Sequence, residues 1–127
     1  MAQVRDRLWL WAHEAGTHHA VGEFGLPTCS RITPLEAAVW FGVPNLIMVR
    51  TRGRPAPPYR QFALPLRVLD RVVWSVVGSA GEWHPDELEH VLALRPSLSN
   101  LAGVIMDDFF HVPGEPRPER ALGGATA

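Results

Sequence analysis

The sequence predicts an α/β domain over residues 1–112, a parallel (βα)3β half-barrel, or partial TIM barrel. Three observations predict it. Apolar runs at residues 8–12, 45–49, 71–78 and 101–106 alternate with helical patterns, and alternation of this kind means parallel strands joined by right-handed crossovers. The run at 45–49, NLIMV, is apolar without a period of two, as expected for a parallel strand buried on both faces. A complete barrel needs eight strands and roughly 250 residues, and 127 residues hold about half of that. Units wound one way leave the inner face of the sheet bare. That face would be covered by a second copy, as a homodimer, or by a missing C-terminal half-barrel. A small flavodoxin-like doubly wound sheet is the alternative. No Gly-rich phosphate loop comes after the first strand to support it.

Each element has its own local signal. Residues 8–12, LWLWA, read as a short buried strand. Residues 13–31 are polar and Gly-rich and read as a long loop, a type often functional. Thr33, Pro34 and Glu36 form a helix-start signature. A capping hydroxyl is followed by Pro at the first helical position and by an acid three residues after the cap. This helix should run over 34–41 and stop at Gly42. Residues 51–58 form a loop flanked and punctuated by Arg50, Arg52 and Arg54. Phe62, Leu66 and Leu69 have helical spacing, with Pro65 starting or kinking that helix. Residues 71–78, RVVWSVVG, are β-branched and apolar, a strand. A loop over 79–85 leads to a helix at 86–95, acidic in its first turn and closed by Arg95. After the strand at 101–106, residues 113–127 are Pro, Gly, Ala and charge and are expected to be a disordered tail.

Composition excludes several classes of function. With 46% hydrophobic and 20% charged residues the chain is of globular type. A net charge of −1 provides no basic field for nucleic acid or anionic lipid. The apolar run at 8–12 is too short for a signal-peptide core or a bilayer span, so no membrane association and a cytoplasmic location are expected. A single cysteine, Cys29, rules out an intrachain disulfide and a four-Cys zinc site.

In parallel α/β folds ligands bind at the carboxyl ends of the strands. The residues just after each strand therefore make up the candidate site. His13, Glu14, His18 and His19 come after the first, and Arg50, Arg52 and Arg54 after the second. Ser79, Glu82, Trp83 and His84 come after the third, and Asp107, Asp108 and His111 after the fourth. Asp107 and Asp108 end an apolar strand, and adjacent strand residues point to opposite faces. One carboxyl near apolar walls and a second charge has its pKa raised, which suits a general acid. The competing reading is an Asp that caps a helix or makes an Asx turn. Trp9, Trp40 and Trp74 are read as core. Trp11 and Trp83, nearer the strand ends, suit stacking on a sugar ring, and His13 and His18 would contact the same substrate. The arginines read as a solvated loop or an anion contact. His13, Glu14 and His18 miss the H-E-x-x-H spacing by one residue. No metal and no cofactor is assigned, and a metal-dependent hydrolase using His13 and His18 is a lesser alternative.

The segment GVIMDDFF resembles the end of the fourth strand in (β/α)8-barrel glycoside hydrolases, and its Asp pair is similar to that of barrel N-acetylglucosaminidases that use substrate assistance. The resemblance implies that Asp107 orients the acetamido group and that Asp108 protonates the leaving oxygen. The opening strand, LWLWAH, does not match that family. The expectation is half of a carbohydrate-active hydrolase, with a carbohydrate ligand and no nucleic-acid partner. A non-catalytic, self-assembling half-barrel is the alternative.

Overall fold

The computed structural model describes residues 3–19, 22, 25 and 30–108. These residues form a mixed α/β fold around one parallel sheet. Its strands are β1 (Trp9–Ala12), β2 (Asn45–Met48), β3 (Arg71–Ser75) and, last in the chain, β6 (Leu101–Ile105). The sheet order is β1-β2-β3-β6, so neighbours in space keep the order of the chain without a reversal. Two short strands, β4 (Val77–Gly78) and β5 (Glu82–Trp83), make a separate antiparallel ribbon between β3 and the next helix.

The helix over 34–41 forms as its caps dictate. In α1 (Pro34–Phe41) the Glu36 N–H donates to the Thr33 hydroxyl at 3.2 Å and the Thr33 N–H donates back to the Glu36 carboxylate at 2.7 Å. Gly42 closes the helix in the left-handed region, φ 63°, where the missing Cβ removes the steric penalty. The second helical stretch divides at its proline. Regular helix α2 (Arg60–Ala63) hands over to a 310 turn, Leu64–Val68, with Pro65 at its start. The third, α3 (Glu87–Leu92), is shorter than its sequence pattern and continues as turns.

The strand expected over 71–78 breaks at Val76. The Ser75 hydroxyl donates to the Val77 carbonyl, two residues ahead, and the Val76 N–H goes to the Ile105 carbonyl at 2.9 Å. The chain therefore leaves the sheet there, and Val77 pairs with Trp83 instead.

The two faces of the sheet differ. Register places Leu10, Leu46 and Val72 in one row and Ala12, Met48 and Trp74 in another. These residues share a core with Ala38 of α1, Ala63 of α2 and Val91 of α3, so all three helices lie on one side. Trp74 is completely buried, with the Tyr59 ring 4.9 Å away and the Phe62 ring edge-on at 6.1 Å. The alternate row, Trp11, Ile47 and Val73, takes no part in that core. Trp11 on this row is 48% exposed.

Of the three tryptophans expected in the core, only Trp74 lies there. Trp9 is half-buried, with the Arg71 guanidinium 4.9 Å above its ring. Trp40 is 81% exposed, because two residues on a helix turn it about 200° away from Ala38, which faces the core. The tail at 113–127 lies outside the described residues. Among the described residues, no helix is long and apolar enough to cross a membrane.

Candidate functional site

The loops leaving the carboxyl ends of the four sheet strands are joined to one another in sheet order. After β1, His13 Nδ1 lies 2.6 Å from the Thr51 hydroxyl and 3.1 Å from the Val49 carbonyl, both after β2. The neighbouring Glu14 carboxylate accepts two bonds from the Arg54 guanidinium, that from Nε at 3.0 Å. The Gly53 N–H reaches the Glu82 carboxylate at 3.4 Å, linking the loop after β2 to β5. The Ser79 N–H donates to the Arg50 carbonyl at 2.9 Å. Finally the Ala80 N–H donates to the Asp108 carboxylate at 2.8 Å, joining the segment after β3 to the end of β6.

Within this belt the predicted residues fall into two groups. His13 and His18 meet edge to face, with ring centroids 4.6 Å apart. Together with Glu14, Thr17 and Ser30 they line a cleft of about 250 Å³, and Trp11 lies one strand repeat below His13 at the same edge. The second group stands at the opposite edge. Asp107 and Asp108 come after β6, and Trp83 lies in the ribbon whose connecting turn Asp108 holds. β1 and β6 are the outer strands, about 14 Å apart at ~4.8 Å per strand spacing. The fold therefore brings both groups to the same end without bringing them into contact.

The two aspartates have different surroundings. The Asp107 N–H donates to the Ser75 hydroxyl at 3.0 Å. Burial is the main cause that raises the Asp107 carboxyl above the ordinary range, and the adjacent Asp108 charge adds to it, while the Asp108 N–H pulls the other way. Asp108 is exposed, adopts φ 45° and has its carboxylate on the Ala80 N–H. Trp83 is 66% exposed.

Sequence reasoning missed a second cluster, on the helix side. Glu87 is 3% exposed. It accepts from Arg50 Nη1 at 2.6 Å and from the Tyr59 hydroxyl. Burial, followed by the bond to Glu87 and its charge, pushes the Tyr59 phenol well above its usual value. Arg50 is therefore not a solvated loop residue; its side chain is 12% exposed. A signal for this cluster is present in the sequence. Glu87, Val91, Leu94 and Leu98 fall at i, i+4, i+7 and i+11, and all four are buried. A Glu on that stripe needs donors, because an unpaired buried carboxylate is strongly disfavoured.

Among the described residues, no three of His, Cys, Asp and Glu are placed to hold a metal ion. Cys29 and His111 lie outside the described residues. No protein-family model matches the sequence, and neither a curated protein nor a solved structure matches it.

Proposed function

We propose that the chain is a half-barrel unit of a carbohydrate-active hydrolase, with its site on the loop belt and its acid/base chemistry at the Asp107–Asp108 end of β6. Strand order without reversal, with α1, α2 and α3 on one side, supports the half-barrel over a doubly wound sheet. The observation that carries the chemistry is the raised carboxyl of Asp107 next to a segment that presents an exposed Trp83. A carboxyl protonated above the usual range can donate to a leaving oxygen, and an exposed indole offers a flat apolar face to a sugar ring. His13 and His18, at the far edge, would contact a more distant part of an extended ligand.

The test is hydrolysis of N-acetylglucosamine oligosaccharides, followed by new reducing ends. Nitrophenyl glycosides are unsuitable, because their good leaving group hides the loss of a general acid. The expected outcome is measurable turnover that falls by about 100-fold or more in Asp107→Asn, the usual worth of general acid catalysis. Equal rates for wild type and variant, or none for either, would overturn the reading.

A second reading is favoured by the exposed Trp11 in register with Ile47 and Val73. In it the chain is a non-catalytic half-barrel that pairs with a second copy through this open face. It predicts a dimeric mass in solution for the wild type and a monomeric mass for Trp11→Ser.

A further inference from the structure

We propose that the two aspartates divide the work: Asp108 is a positioning residue that fastens the 79–83 segment, and with it Trp83, onto the end of β6, while Asp107 is the carboxyl that meets a ligand. The ligand-facing role rests on the hydrolase reading above; the fastening role does not. The assignment reverses the one implied by the resemblance of GVIMDDFF, in which Asp108 would give the proton.

Four contacts carry the fastening. The Ala80 N–H donates to Asp108 Oδ2 at 2.8 Å. The main chain is laid against the same residue, since a Cβ added at Gly81 would stand 3.1 Å from the Asp108 carbonyl oxygen. One residue before Ala80, the Ser79 N–H donates to the Arg50 carbonyl at 2.9 Å. At the preceding glycine, Gly78, a Cβ would come within 2.9 Å of that oxygen. Arg50 is itself fixed by Glu87 at 2.6 Å. The segment is thus held at Ser79 from the end of β2 and at Ala80 from the end of β6.

The backbone shows that this hold is needed. Ala80 has φ 61° and Asp108 has φ 45°. The left-handed region is unfavourable for a residue with a Cβ, although Asp visits it more readily than most. An alanine is kept there by its surroundings, and the Asp108 carboxylate supplies the bond to its N–H. Asp108 Oδ2 is thereby committed to the main chain. Asp107 is anchored differently, through its own N–H on the Ser75 hydroxyl at 3.0 Å, so its carboxyl is not the fastener.

Amide hydrogen exchange on the whole chain tests this without any substrate. Asp108→Gly keeps the left-handed backbone accessible but deletes the carboxylate. Asp108→Asn keeps an acceptor oxygen in its place. Exchange at residues 80–83 should quicken by about tenfold or more in Asp108→Gly, as expected for losing one hydrogen bond to a charged group. It should stay near wild type in Asp108→Asn and Asp107→Asn. Amides of β2 and β3 report whether each variant keeps the fold. Unchanged exchange in Asp108→Gly, or loosening in Asp107→Asn, would overturn the proposal. On oligosaccharides, Asp107→Asn should lose turnover. If the wild type turns nothing over, the hydrolase reading fails while exchange still decides the fastening.

Discussion

The two faces of the sheet are built from alternate residues of the same strands, yet they have opposite fates. On the helix side Leu46, Met48, Val72 and Trp74 are wholly buried. On the other, Ile47 and Val73 are half-buried and Trp11 is nearly half exposed. Both rows are apolar, so hydrophobicity alone does not separate them. The direction of winding does. Strands in chain order, with α1, α2 and α3 packed on the same side, cover the middle of one face and leave the other to its own end loops. The helix-covered face therefore carries most of the packing, while the other keeps Trp11 exposed.

The largest effect expected from this contrast is at Trp74. Trp74→Ala should cost about 3–5 kcal/mol in urea unfolding, as large-to-small changes of buried aromatics do, because the Tyr59 and Phe62 rings lose the surface they rest on. A loss under about 1 kcal/mol would mean that the helix-side core is much looser than its burial indicates. The same ring class on the other face should behave oppositely. Trp11→Ser, read at concentrations too low for association, should change stability by no more than about 0.5 kcal/mol, as exposed substitutions do. A cost as large as that of Trp74→Ala would show that the open face is covered within one chain, and the contrast would collapse.

Part of this is legible in the sequence, for physical reasons that can be named. Thr33, Pro34, Glu36 and Gly42 set both ends of α1 through local bonds, and local bonds are what a linear reading captures. The four apolar runs form the four parallel strands for the same reason of composition and spacing. The break after β3 is not legible, because it depends on where the Ser75 hydroxyl points, and an apolar run shows only strand propensity. Trp40 departs from expectation because ring size says nothing about which side of α1 the ring occupies. Placing it opposite Ala38 by the helical period would have exposed it. The candidate site divides in the same way. That titratable groups gather at the strand ends is a consequence of topology. That they form two groups at opposite edges is a consequence of sheet order, which runs of apolar residues do not encode. Glu87 has a readable stripe, but its first-turn position invites the simpler explanation of a helix dipole.

The smallest expected effect is also the most selective. Asp107 sits beside Ser75, two residues on from Val73 along the row of the open face, and its burial raises its carboxyl above the ordinary 3.8. The folded chain therefore holds this proton more tightly than the unfolded chain does. As pH rises from 3.8 through the raised folded value, the unfolded state loses the proton first. Stability then falls across that window and stays lower above it. Asp107→Asn cannot ionise, so at neutral pH it should melt slightly above wild type. The difference should vanish below the window, where both side chains are neutral. Parallel melting curves at acid and neutral pH would show that the carboxyl is solvated like any surface Asp. The end of the open face would then lack the partly enclosed acid that the proposed chemistry requires. A gain confined to neutral pH would show instead that stability is given up there to keep a carboxyl poised at the strand end, the kind of local cost found where a fold holds chemistry rather than packing.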